Sequence, residues 1–169
     1  GVVMAVGERG VGKPLRTPEG FPGQLAVGVS FEDQVLAVWV EPRRGTMPGG
    51  LRYASLAVRG APEVAVLSTK AGVTSMDAIA TDNGVEVVWV EAGDDGLDIP
   101  VICRVVLPGG EPEIIGEGVQ MADQVTYAPA VKGPPWIVLT TLRDEVVVLD
   151  EKGKTVVVFQ DQKTAALEK

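Results

Sequence analysis

Two aspartates, Asp77 and Asp123, stand just before or at the start of corresponding runs of the chain, and they are its one candidate for acid–base chemistry. A glycoside hydrolase needs two carboxyl groups about 5 to 10 Å apart, one held protonated as the acid and one ionised as base or nucleophile. Position in the chain does not by itself bring Asp77 and Asp123 to that separation.

A second acidic group, Asp94, Asp95 and Asp98 in AGDDGLDIP, offers the hard oxygen ligands that Ca²⁺ takes. It lacks the alternating order and the distal bidentate glutamate of a calcium loop, so it reads as a solvated acidic turn. The corresponding loop fifty residues earlier, PRRGTMPGG, carries Arg43 and Arg44 and is basic instead. Near the start, GERGVGKP (Gly7 to Pro14) matches the G-x-x-x-x-G-K part of a phosphate-binding loop. Pro14 replaces the hydroxyl residue that would hold Mg²⁺, and Pro18, Gly20, Pro22 and Gly23 prevent the helix that should follow. A flexible glycine-rich connector is the better expectation there.

Absences narrow the chemistry further. With no histidine in 169 residues, the usual general base, the usual zinc ligand and the Ser-His and Cys-His nucleophile systems are all missing. No cofactor or metal is implied. Cys103 is the single cysteine, so no intrachain disulfide forms, and its place in VICRVV suggests a small buried filler. Fifteen basic against 23 acidic residues give a formal charge of -8, which repels nucleic acid and anionic membrane. No apolar run reaches the roughly 18 residues of a membrane-spanning helix. The inventory favours a non-enzymatic role, with a hydrolase built on carboxylates as the rival.

The elements that would position these residues come from a repeat. Gln34 to Val66 lies over Gly84 to Gly116 in a register of fifty, aligning Trp39 with Trp89, Glu41 with Glu91 and Pro62 with Pro112. A third, shorter copy runs through Pro134 to Thr141 and Lys154 to Phe159. Each copy parses into four strand-like runs rich in Val and Ile. In the first these are 25–31, 35–41, 52–58 and 63–67; in the second 78–81, 85–91, 101–107 and 113–115; in the third 126–131, 136–141, 145–149 and 155–159. Short links make sequential antiparallel pairing the simplest topology, a four-stranded meander.

A four-stranded meander repeated at about 40 to 50 residues resembles a β-propeller blade, in period and strand count rather than in any family-specific motif. The resemblance implies an all-β half-propeller of three blades, about 23–69, 74–118 and 124–160, within a domain spanning 23–160. An N-terminal strand and Gly/Pro-rich connector (1–22) precede it and a polar tail (161–169) follows. It also implies that the small-residue first runs are innermost and that Trp39 and Trp89 pack between blades. Three blades leave two apolar end faces open, so a second copy is expected to close a six-bladed ring, the alternative being a fragment or one half of a ring completed by a companion chain. Loops and inter-repeat links would share one rim that binds a protein or glycan, placing Arg43, Arg44, Met76, Asp77, Asp94, Asp95, Met121, Asp123 and Tyr127 there. A purely architectural subunit is the third reading. The GVVMAV run is expected to close or cap the edge of a blade.

Overall fold

The computed structural model describes residues 2–7, 10–16, 26–31, 34–41, 49–56, 63–69, 72–92, 99–116, 118–130 and 132–160. Among them there is no helix, and the strands form three four-stranded antiparallel sheets and one hairpin. The chain divides into two compact units, Gly1–Ala71 and Gly72–Lys169.

The first unit opens with β1 (Val2–Gly7) and β2 (Gly10–Arg16), an antiparallel pair in which Gly7 faces Gly10 and Met4 faces Pro14. This corrects two expectations. GVVMAV pairs with its own neighbour rather than with a blade edge, and most of the phosphate-loop-like segment is a strand rather than a connector. Pro14 is compatible with the pairing because each strand of a two-stranded sheet has a free edge on which a missing N–H leaves no partner unsatisfied.

The same unit carries β3 (Ala26–Phe31), β4 (Gln34–Glu41), β5 (Gly50–Leu56) and β6 (Val64–Ser68), hydrogen-bonded in that order. Residues of both alternation phases are buried from Leu36 to Val40, as in a strand covered on both faces. Ala37, Trp39, Ala54 and Leu56 cluster on one face, and there Arg52 binds Glu41 at 2.9 Å.

In the second unit, β7 (Gly72–Thr81), β8 (Gly84–Ala92), β9 (Val101–Leu107) and β10 (Glu113–Ile115) make the second sheet. The third consists of β11 (Ala122–Ala128), β12 (Trp136–Thr141), β13 (Glu145–Leu149) and β14 (Thr155–Gln160). Both are meanders, as the repeat implies. The first strands start earlier than expected: Gly72 to Asp77 and Ala122 to Gln124 were to be links, yet they pair along β8 and β12. Their polarity disguises them, because these hydroxyls and carboxylates meet partners on a neighbouring strand.

Gly84 ends the turn after Thr81 with φ +138°, and a Cβ there would strike the carbonyl oxygen of Leu107. The turn therefore requires glycine.

The two sheets of this unit pack face to face. Val88, Val90, Ile102 and Ile115 of the second meet Val125, Ile137, Leu139, Val147 and Leu149 of the third. The other face of β8 is also buried, with Trp89 1% exposed and its indole N–H donating to Glu91 Oε2 at 2.8 Å. The repeated Trp-Val-Glu spacing makes this possible, because residues two apart share a strand face.

Cys103 is buried opposite Trp89, as the apolar alternation of VICRVV suggests. Replacing Trp89 by alanine is expected to lower unfolding free energy by about 3 to 5 kcal/mol. Denaturant titration of Trp89→Ala checks this, and Trp136→Ala, on a partly exposed side chain, should cost much less.

Candidate functional site

The sheets joined in the second unit share no backbone ladder, so the amides along the inner edge of β11 need other partners. Side chains of β7 supply them. Ser75 Oγ accepts from the Val125 amide at 3.1 Å and lies 3.4 Å from the Val125 carbonyl oxygen, to which it donates. Asp77 Oδ2 accepts from the Tyr127 amide at 2.8 Å and from Thr126 Oγ1 at 2.7 Å, while Oδ1 accepts from the Ala78 amide at 2.8 Å. Ser75 to Val125 and Asp77 to Tyr127 are each separated by 50 residues, the period of the repeat.

From Asp77 the polar network continues outward across the sheets. The Tyr127 hydroxyl donates to Glu86 Oε1 at 3.0 Å, and Arg104 lies 3.7 Å from the same oxygen. Arg104 Nε also donates to Glu113 Oε1 at 2.9 Å, and its Nη1 donates to the Glu151 carbonyl. Burial, then the Glu86 carboxylate, push the Tyr127 phenol far above its ordinary range, so it stays protonated and acts as a donor.

Alternation explains how the residues meet. Asp77 lies opposite Val88, and Arg104 is Val88's partner on its other side, which puts all three on the face turned to the third sheet. Ile79 and Glu86 form the next pair on that face. A charge inside a Val-rich central strand has to be paired. That is the signal in the sequence for Glu86 and Arg104, which belong to no motif.

Of the residues expected on a binding rim, Asp77 and Tyr127 are brought together, but within the junction between sheets. Tyr127 is buried there, and Met76 is buried opposite Trp89, so neither side chain is offered at a surface. Met76 lies on the Trp89 face of the second sheet, and Tyr127 belongs to the core between the second and third sheets. Met121 is exposed with φ +57°, and its carbonyl accepts from the Leu142 amide. Asp123 joins the network through its backbone oxygen, which accepts from Thr74 Oγ1 at 3.4 Å. Arg43, Arg44, Asp94 and Asp95 lie outside the described residues. Among the described residues no group of acidic, cysteine or histidine side chains has the arrangement of a metal site.

A cavity of about 760 Å³ opens at the other end of these two sheets from the Met121 and Leu142 loops. The Thr81–Gly84 turn, the loop before Trp136 and the turn after Asp150 surround it. Asp82, Asn83, Glu86, Pro134, Glu151 and Lys152 line it, and Glu86 connects it to the network behind. Asp150 Oδ1 fixes one of those turns by accepting from the Lys154 and Lys152 amides, each at 2.9 Å. These bonds, that from Lys154 foremost, hold the Asp150 carboxyl below its ordinary range. A smaller hollow of about 340 Å³ lies beside Lys132, Pro135 and Trp136. Both volumes fall in the range of about 300 to 1,000 Å³ usual for ligand sites.

Chemically, the junction is a tie. Three donors occupy the Asp77 carboxylate, and the Asp123 carboxylate has no partner among the described residues. The cavity is where side chains remain available to a ligand, since those of Asp82, Asn83 and Lys152 have no hydrogen bond among the described residues. Comparison of the chain with protein-family models, with curated proteins and with solved structures gives no match.

Asp77→Ala would strand the Tyr127 amide and the Thr126 hydroxyl, and chemical denaturation should show a loss of about 1 to 3 kcal/mol. The raised Tyr127 pKa means that the folded state keeps a proton the unfolded state gives up at high pH. Its contribution is therefore complete below the ordinary tyrosine pKa of about 10 and declines above it, by up to about 1.4 kcal/mol per pH unit. Melting curves between neutral and strongly alkaline pH should show this decline, and Tyr127→Phe should flatten it.

Proposed function

We propose that this chain is a non-enzymatic binding and assembly module, half of a β-propeller that a second copy closes into a six-bladed ring. The observation that carries the reading is a contrast between sheets. Residues of both phases are buried along β8, whereas the far face of the third sheet exposes Trp136 (39%) and Phe159 (59%) beside Val138 and Val148. On the first sheet, Val64 and Val66 are exposed on the face that carries Trp39. Apolar end faces of this kind favour association, and closing them in a ring follows from the blade-like repeat.

The cavity beside Asp82 and Asn83 is the favoured binding place for a protein segment or glycan. Its free amide, carboxylate and ammonium groups suit a polar ligand, and Pro134 and Pro135 add an apolar wall. The saturated Asp77 carboxylate weighs against a hydrolase pair with Asp123.

Sedimentation at micromolar protein should give the mass of two chains, and Val138→Lys on the far face should reduce it to one. A compact monomer in the parent protein would overturn ring closure. Arrays of oligosaccharides and peptides test the cavity: binding should occur without turnover and be lost in the Asp82→Ala, Asn83→Ala double variant. Turnover of a bound oligosaccharide would assign an enzyme instead.

A further inference from the structure

We infer that the cavity between the second and third sheets takes a neutral sugar residue of a glycan, with sugar hydroxyls donating to Glu86 Oε2 and to the Asp82 carboxylate. This rests on the reading of that cavity as a binding place and narrows it to one class of ligand. The observation that carries it is a largely buried carboxylate with one oxygen engaged and the other open.

The Glu86 side chain is 17% exposed and lines the cavity. Its Oε1 accepts from the Tyr127 hydroxyl at 3.0 Å and lies 3.7 Å from Arg104 Nη1, while Oε2 has no partner among the described residues. A carboxylate oxygen this far from bulk solvent calls for a donor, and an occupant of the cavity, water or ligand, is what can bring one. The contacts at Oε1 fix the carboxylate before anything binds, so a ligand group that displaces water there leaves little still to be ordered. Asp82 and Glu151 add further acceptors, against the ammonium of Lys152 and the amide of Asn83, and none of these side chains has a partner among the described residues. The fitting occupant is therefore rich in donors.

Charge decides which donors. Arg104 already balances Glu86, so an ammonium or guanidinium brought to Oε2 would stand beside a like charge. Asp82 and Glu151, in a chain of net charge -8, repel an anion. Neutral hydroxyls meet neither penalty. An extended peptide shows successive N–H groups on one edge about 7 Å apart, two residues along. Sugar hydroxyls stand on neighbouring carbons and can serve several groups that converge in one cavity. Each hydroxyl also accepts, which employs the Asn83 amide and the Lys152 ammonium. Pro134 and Pro135 give an apolar wall for the C–H face of a sugar ring.

Titration calorimetry of the whole chain tests this, with neutral trisaccharides of glucose, mannose, galactose and xylose as probes. At least one should bind, and its per-O-methylated form, which keeps the rings but has no donors, should not. Glu86→Gln keeps the size of the side chain but exchanges an acceptor for a donor, and Asp82→Asn does the same on an exposed turn. Each should raise the Kd of the sugar roughly tenfold or more. Melting curves report whether Glu86→Gln stays folded, and Asp82→Asn decides if it does not. Equal binding of the methylated sugar overturns the inference, as does a Kd unmoved by Asp82→Asn or by a folded Glu86→Gln. So does a panel in which no sugar binds while a trialanine or trilysine peptide does, in a way lost in the Asp82→Ala, Asn83→Ala double variant. That result would leave the cavity a binding place, whereas binding of neither class overturns both readings.

Discussion

A sheet edge has to place its backbone amides somewhere, and the second unit meets that requirement with side chains. Among the described residues the edge of β11 away from β12 pairs with no strand, and Ser75 and Asp77 on β7 take the place of one, binding Val125 and Tyr127. The two sheets are thereby held at a fixed register. That alignment lets Val88 and Val90 meet Ile137 and Leu139, and it places the Tyr127 hydroxyl on Glu86. An unsatisfied buried amide costs about 1 to 3 kcal/mol, so the tie also penalises sliding of one sheet past the other. Fifty residues before Ser75 and Asp77 stand Leu25 and Val27, which have no acceptor to offer.

Burial and electrostatics act together in the same junction. Glu86 and Arg104 sit on strands rich in Val, and each is compensated by the other and by Tyr127 or Glu113. Charge pairs of this kind are weak sources of net stability but strongly penalise separation. Because Glu86 also lines the open cavity, a ligand there would touch a side chain already held in place by the network. Preorganisation of that sort lowers the entropic cost of binding.

Much of the architecture was legible in the chain. Fifty-residue self-similarity, Val-rich runs and Gly/Pro punctuation pointed to three four-stranded meanders, and the three sheets match them. The limits of that reading lie in the polar strand segments. Gly72 to Asp77 looked like a link because Thr74, Ser75 and Asp77 are turn-prone residues, and only partners fifty residues away turn them into strand. The N-terminal hairpin was missed for a related reason: glycines and Pro14 suggest a connector, while the pairing of Met4 with Pro14 is a property of two segments together. In the candidate site, Asp77 and Tyr127 were selected for a surface they do not occupy, whereas Glu86 and Arg104 were visible only as charges out of place.

By itself the sequence determined the class of fold, the number of four-stranded sheets and the lack of histidine-based chemistry, since local periodicity and composition are complete in one dimension. Tertiary structure decided what the acidic residues are for. A carboxylate's role depends on which donors reach it, and for Asp77 those donors come from another sheet. It also decided which surfaces stay open, because the exposure of Phe159 and the burial of Trp89 depend on what covers each side chain and not on the residues themselves.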